Sequence, residues 1–296
     1  MGNIPQLVMW LIAMVVMMFS DPRLQFVEWF CLAAIVIIGI PHGAADHIIN
    51  QEITPGSSKS NYVGVYIATA AGVLFWWLIM PVKTGFIFII LSTFHFGQEM
   101  LEEYELTQSS LVEKLLFGSV CIILPLVHYH QNILSPINNE SASYLIDYIE
   151  KFKWPFILTN ILGVLVVMVI KQQKGKWSSK QILKALIGLG QILIGYWLLG
   201  FIGGFTIYFL LHHSKNSFSH QFDWLNSRIK DYSITKFLID LVPFSALSIA
   251  GLGLTMWFFN PESFDAAFLI ALVIISAVSV PHALLCNRMY DSRKII

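Results

Sequence analysis

The feature that most constrains this chain is a succession of apolar stretches, each close to the length of a membrane-spanning helix. A helix needs about 17 to 25 mostly apolar residues to cross a bilayer, because its backbone polar groups must be paired within the segment. The sequence therefore predicts an all-α, polytopic transmembrane helical bundle of about ten spans, within a range of 8 to 10. The stretches are 4–20, 26–43, 62–82, 84–98, 114–130, 154–171, 183–199, 201–213, 236–259 and 266–286.

Composition agrees with a lipid environment and excludes other classes. Hydrophobic residues make up 56% of the chain and charged residues 12%, against about 25% charged residues in an average soluble domain. No linker or composition shift divides the chain, so we expect one integral membrane domain over 1–296. The formal net charge is zero, which argues against nucleic acid as a partner. The stretch 4–20 has no basic segment before it, so we interpret it as a retained span and not a signal peptide.

The distribution of lysines predicts the orientation. Short cytoplasmic loops carry an excess of Lys and Arg, and five lysines follow the sixth stretch: Lys171, Lys174, Lys176, Lys180 and Lys184. That loop is predicted to be cytoplasmic, and with ten spans both termini are cytoplasmic as well. The weakest division lies between the seventh and eighth stretches, where only Gly200 and the pair Gly203-Gly204 indicate a turn.

Histidines concentrate at one predicted face of the membrane. Seven of the nine lie at or just after the ends of even-numbered spans, on the cytoplasmic side: His42, His47, His95, His212, His213, His220 and His282. One interpretation is that a partly positive side chain is favoured at a helix C-terminus, by about 0.3 to 1 kcal/mol. Four separate helices share the feature, however, and polar residues at membrane depth are usually functional. We therefore predict a shared metal site.

The chemistry of the donors favours a redox metal. Neutral imidazole suits iron, zinc and copper, and an iron site with four histidines would keep open positions for dioxygen or substrate. Zinc hydrolysis would need a base from Asp46 or Glu99. Those two carboxylates are better placed as partners that orient the imidazoles.

Four motifs resemble one known family. PHGAADH occurs at 41–47, FHFG at 94–97, YFLLHHS at 208–214 and SVPHALL at 279–285. In order and spacing these motifs resemble the Brp/Blh-like β-carotene 15,15'-dioxygenases, which are microbial membrane enzymes that split β-carotene at its central double bond into two retinal molecules. The combination of PHG with HFG about fifty residues later is the most specific part of the pattern.

The resemblance implies a cofactor, partners and a location. It implies non-haem iron(II), with His42, His95 and His213 as ligands and dioxygen as co-substrate. The carotenoid would enter from the bilayer, so lipid is the other partner, and no obligatory protein partner is implied. The protein would lie in a microbial cell (inner) membrane with its metal site towards the cytoplasm.

The chain departs from the family pattern at one position. The third family motif resembles H-S-x-x-H, and residues four apart share one helix face, but the second histidine is replaced here by Ser217. A serine is a poorer iron ligand and is predicted to lie beside the ligands instead. Possible additional ligands are His47, which we favour because it closely follows the PHG turn, and His282, His212 and His220. A three-histidine site, a site completed by a substitute, and a relative that no longer cleaves carotene all stay open.

The resemblance also implies a hydrophobic tunnel for the carotene, and aromatic residues beside the proposed ligands are candidates for its lining. Phe94, Phe96, Tyr208 and Phe209 would line it and stabilise cationic character along a polyene. A carotene has no polar group that marks its middle, so the depth of the tunnel would select the bond to be cleaved.

Two functions from other classes also fit parts of the pattern. A membrane di-iron desaturase or hydroxylase would use the spacing of His42 and His47 and the pair His212-His213, but its H-x-x-H-H boxes are absent from the sequence. A metal or proton transporter would use intramembrane His, Asp and Glu as a relay. Such sites usually lie at the bilayer midplane in repeated halves, whereas these histidines lie at predicted helix ends.

Overall fold

The protein is helical throughout its described part. The computed structural model describes residues 25–56, 58–106, 109–134 and 140–293, and every regular element in these ranges is a helix. This confirms the predicted all-α class. In chain order the helices are α1 (Gln25–His42), α2 (Asp46–Ile53), α3 (Lys59–Ile79), α4 (Pro81–Glu103), α5 (Leu111–Cys121), α6 (Ile123–His128), α7 (His130–Leu134), α8 (Glu140–Gln173), α9 (Ser179–Tyr208), a π-helix (Phe209–Ser214), α10 (Lys215–Asn226), α11 (Ile234–Phe259) and α12 (Phe264–Arg293).

Six stretches of the described residues are helical, long and apolar enough to cross a membrane. They are Val27–Ile53, Lys59–Ile79, Ser143–Gln173, Ser179–Asn226, Ile234–Phe259 and Phe264–Ser292. These stretches support a membrane protein, but the predicted count of about ten spans is not confirmed. The predicted span 4–20 lies outside the described residues, and the cytoplasmic location of the termini stays a prediction.

Two predicted spans are not among the six, for identifiable reasons. The span 84–98 lies in α4, whose second half contains His95, Gln98 and Glu99, and these polar residues lower its hydropathy. The span 114–130 was predicted as one helix, which is wrong: α5 ends at Cys121 and α6 begins at Ile123. Pro125 explains the break, because a proline lacks an N–H and its ring clashes with the carbonyl four residues earlier, here that of Cys121.

The turn predicted at Gly200 is present. Gly200 has φ 70° and ψ −170°, a conformation outside the helical region that glycine adopts at little cost. The chain then runs back on itself, because a Cβ added to Gly204 would lie 2.6 Å from the Cα of Tyr196. In a straight helix those two residues would be roughly 12 Å apart. The stretch Ser179–Asn226 is therefore sharply folded at Gly200.

The described residues form two compact units. Residues 25–91 and 209–293 form one, here called the terminal-segment unit, and residues 92–208 form the other, here called the middle-segment unit. In the terminal-segment unit α12 packs along α3, and α1 packs against α11 and the π-helix. Two side chains of α3 fasten it to α12: the Tyr66 hydroxyl donates to the Val278 carbonyl at 2.9 Å, and the Trp77 indole donates to the Ser276 hydroxyl at 2.7 Å.

In the middle-segment unit, two glycines allow α4 and α5 to pack with their backbones in contact. A Cβ added to Gly97 would lie 1.8 Å from the Lys114 carbonyl oxygen, and one added to Gly118 would lie 1.7 Å from that of Thr93. Both distances are too short for any side chain, so the two backbones touch. This contact explains the glycine that follows His95-Phe96 in the FHFG motif.

Candidate metal centre

The PHGAADH motif forms a tight connection between two helices of the terminal-segment unit. α1 ends at His42 and α2 begins at Asp46. In the turn the Gly43 N–H donates to the Ile40 carbonyl, and the Ala44 N–H donates to that of Pro41. The motif thus places an imidazole at the end of one helix and a carboxylate at the start of the next.

Three imidazoles meet at this helix end. The ring of His42 lies 5.0 Å from that of His213 and 4.9 Å from that of His282, measured between centroids, with interplanar angles of 85° and 81°. His213 and His282 are buried and His42 is partly buried. The three residues come from α1, the π-helix and α12, which are distant in sequence.

His213 lies in the π-helix, four residues after Phe209. A π-helix widens the turn by one residue, and such segments occur frequently at functional sites. The ring of Phe209, at the start of the same segment, stacks on that of His213 at 5.2 Å and meets that of His42 edge-on at 5.9 Å. Gly39 makes room for it, because a Cβ there would lie 2.4 Å from Phe209 Cε1. The Phe209 ring therefore packs against two of the imidazoles.

His282 is oriented by a buried carboxylate. Its Nδ1 lies 2.8 Å from Oδ1 and 3.0 Å from Oδ2 of Asp46, and both side chains are about 4% exposed. The Cys286 sulfur lies 3.5 Å from Nε2 and 3.8 Å from Nδ1 of the same ring. Cys286 therefore packs directly against the ring that Asp46 orients. With Nδ1 occupied by Asp46, Nε2 is the nitrogen suited to bind a metal.

Ser217, which replaces the second histidine of the family motif, is hydrogen-bonded to a glutamine side chain. It is buried on α10, and its hydroxyl accepts a hydrogen bond from the Gln221 amide at 3.0 Å. The same amide donates to the backbone carbonyl of His42 at 2.7 Å. Ser217 thus lies in a hydrogen-bonded chain that ends at the backbone of His42.

A cavity of about 360 Å³ adjoins the imidazoles. His42, Asp46, His47 and His282 line it together with a stripe of α3 that runs from Tyr62 to Leu74, roughly 18 Å of helix. Apart from these polar groups its lining is mostly apolar. Ile67 lines the cavity and is 61% exposed, so the cavity opens on an apolar surface of the unit.

The middle-segment unit carries the other predicted residues. His95 and Glu99 are buried one helical turn apart on α4. The ring of Phe96 lies 5.8 Å from that of buried Tyr208, and the Lys114 ammonium lies 5.0 Å from the Phe94 ring. Of the four aromatic residues predicted for the tunnel, Phe209 borders the imidazoles of the terminal-segment unit.

Comparisons with known proteins agree with this arrangement of motifs. The family model described as beta-carotene 15,15'-dioxygenase matches residues 33–290, most of the chain. The chain belongs to the β-carotene 15,15'-dioxygenase family. It is also 24% identical over 279 residues to the beta-carotene 15,15'-dioxygenase of the uncultured marine bacterium 66A03, covering 90% of this chain and 95% of that protein. No solved structure matches the chain.

The remaining candidate histidines of this family member have other contacts. His47 lines the cavity, but its Nδ1 lies 3.0 Å from the Ala44 carbonyl and its ring lies 4.5 Å from that of Phe244. His220 Nδ1 lies 3.1 Å from the Tyr290 hydroxyl. His212 is buried in the π-helix beside His213. Among the substitutes considered from the sequence, His282 lies in ring contact with His42.

Sequence reasoning missed two side chains that belong to this arrangement. Gln221 is fully buried and its amide donates to the His42 backbone carbonyl, and the Cys286 sulfur lies 3.5 Å from Nε2 of His282. Helical spacing could have indicated Cys286, since residues four apart share a helix face. Nothing in the sequence indicates the contact of Gln221, because it joins residues 179 positions apart.

Proposed function

We propose that the protein is an iron-dependent dioxygenase that cleaves β-carotene at its central 15,15' double bond and forms two retinal molecules. The observation that supports this most is a set of three imidazoles beside an apolar cavity, in which the rings of His213 and His282 each lie about 5 Å from that of His42. Membership of the family supplies the reaction class.

The donor set fits iron(II). Imidazole nitrogens are suitable iron ligands, and metal-binding histidines usually donate their other ring N–H to a carboxylate, as His282 does to Asp46. We assign His42, His213 and His282 as ligands. His95 is added from its sequence motif, as the resemblance implies, and Glu99 is proposed beside it. When bound, iron(II) would supply the redox chemistry that lets dioxygen react with the double bond.

The side chains of this site have separate tasks in the proposed reaction. The Asp46 carboxylate fixes the ring of His282 and keeps Nε2 as its metal-binding nitrogen. Phe209 packs against the rings of His42 and His213, which excludes water from one side of the imidazoles.

The cavity holds the polyene in this proposal. Its stripe along α3 is comparable in length with one half of an extended C40 polyene, so a chain end seated near Leu74 would bring a central carbon close to the imidazoles. The substrate would arrive from lipid, because a C40 hydrocarbon has no useful concentration in water. We place the protein in a microbial inner membrane with the site towards the cytoplasm.

Metal content and product formation in one preparation test the proposal. The protein would be expressed in β-carotene-producing cells, purified in detergent and analysed for metals by mass spectrometry, with retinal measured in the same cells. We expect near-stoichiometric iron and retinal from the wild type, and neither from His42→Ala. His128→Ala is the matched control, since His128 is an exposed residue of the middle-segment unit. Iron without retinal would indicate a desaturase-like chemistry or another substrate, and absence of metal would favour a transporter.

A further inference from the structure

A glutamine amide joins two of the helices that carry the proposed ligands. Gln221 is 0% exposed, and its Nε2 donates to the His42 carbonyl at 2.7 Å and to the Ser217 hydroxyl at 3.0 Å. A carbonyl oxygen can only accept a hydrogen bond, so the NH₂ group of the amide must face it. The orientation of the amide is therefore unambiguous, and these two bonds use both of its N–H groups.

The carbonyl of His42 needs this donor. The last carbonyls of a helix have no partner within it, and α1 ends at His42. The backbone N–H groups of Gly43, Ala44 and Asp46 donate instead to the carbonyls of Ile40, Pro41 and Gly43. Gln221 thus satisfies a helix-terminal carbonyl on the very residue that carries an imidazole.

The same bond couples His42 to His213. Gln221 belongs to α10, which continues directly from the π-helix that contains His213. We propose that Gln221 is a positioning residue, which holds the His42 and His213 rings at the separation needed to bind one metal ion. This inference rests on the proposed function, because it assumes that both rings bind iron.

The chemistry of the side chain explains why an amide stands here. A glutamate has the same shape, but it has no donor when ionised and one O–H donor when protonated, so it loses at least one of the two hydrogen bonds that the amide donates. A methionine fills similar space and leaves the carbonyl without its donor, and a buried polar group that loses its partner is destabilised. The pair Gln221→Met and Gln221→Glu therefore separates the role of the donor from that of packing.

Iron affinity is the measurement that tests this assignment. Iron(II) would be titrated anaerobically into metal-free, detergent-purified protein in competition with a chelator. We expect Gln221→Met and Gln221→Glu to weaken iron binding roughly 10- to 100-fold, as loss of a group that orients a metal ligand typically does. The KM for β-carotene should stay unchanged, because the cavity lining is intact. Gln172→Met is the matched control, since Gln172 is exposed and donates to Ser179 in the middle-segment unit.

A milder variant keeps the test decisive if those proteins fail to fold. Ser217→Ala removes only the second acceptor of the amide, and we expect it to weaken iron binding roughly two- to fivefold, the effect of one ordinary hydrogen bond. Unfolding temperatures of the metal-free proteins would verify that each variant is folded. Wild-type iron affinity in the folded Gln221 variants, or in Ser217→Ala if those variants do not fold, would overturn the inference. A wild type that binds no iron would overturn the proposed function itself, so the two failures are distinguishable.

Discussion

The carboxylate of Asp46 lies 2.8 Å from Nδ1 of His282, although the two residues are 236 positions apart in the chain. The contact joins the start of α2 to the second half of α12 and is buried on both sides. It holds the His282 ring through Nδ1, which is the basis of the first prediction.

Replacing Asp46 should weaken the metal site without abolishing it. Asp46→Asn removes the negative charge beside His282, so its imidazole becomes less basic and a weaker metal ligand. We therefore expect iron affinity to fall about 10- to 100-fold. The measurement is an anaerobic iron titration together with retinal formation. Asp223→Asn is the matched control, because Asp223 is exposed and contacts Ser219 at 3.5 Å. Equal iron affinity in Asp46→Asn and Asp223→Asn would contradict the role given to Asp46.

His282 and His47 should behave differently when each is changed to alanine. The ring of His282 contacts that of His42, whereas the ring of His47 packs on Phe244. We therefore expect His282→Ala to lose its iron and His47→Ala to retain most of it, as measured by mass spectrometry of the purified proteins. The reverse result would restore the preference for His47 that the sequence suggested.

Gly39→Ala should destabilise the protein through Phe209. The added methyl group would lie 2.4 Å from Phe209 Cε1, and forcing atoms into a packed site costs about 1 to 3 kcal/mol. The displaced ring would also disturb His213, so retinal formation should fall. Thermal unfolding in detergent measures the first effect. Gly64→Ala is the control: it lies on α3 with open space around it, and alanine there should be neutral or stabilising by up to about 1 kcal/mol.

Filling the far part of the cavity should lower kcat/KM for β-carotene and leave the iron content unchanged. Ala70 lines the cavity, whereas its near neighbour Ala68 is exposed and does not. We expect Ala70→Leu to lower kcat/KM for β-carotene at least severalfold while iron content stays at the wild-type level. Ala68→Leu should leave both unchanged. An unaltered kcat/KM in Ala70→Leu, measured from retinal formation, would show that the polyene does not occupy this part of the cavity.

Several features of the fold and site could be predicted because they depend on local sequence. The all-α class and most of the apolar helices follow from hydropathy summed over consecutive residues. The bend at Gly200 follows from a conformation that glycine adopts at little cost. His42, His213 and Asp46 were identified from short motifs, and the structure brings them to one helix end. The break before Pro125 could also have been predicted, since the effect of a proline on the preceding turn is local.

Other features were decided by tertiary structure alone. Motif proximity favoured His47 over His282, but in the folded unit α12 brings His282 against His42, while His47 turns to Phe244. The hydrogen bond from Gln221 to His42 leaves no trace in the sequence, because it joins residues 179 positions apart.

The sequence by itself determined that this chain is a helical protein with membrane-length apolar segments and histidines near their ends, because hydropathy and helix length are sums over neighbouring residues. Only the tertiary structure decided which histidines lie close together and which side chains contact them. Those contacts depend on how α1, α12 and the π-helix pack together, and distance along the chain carries no information about that packing.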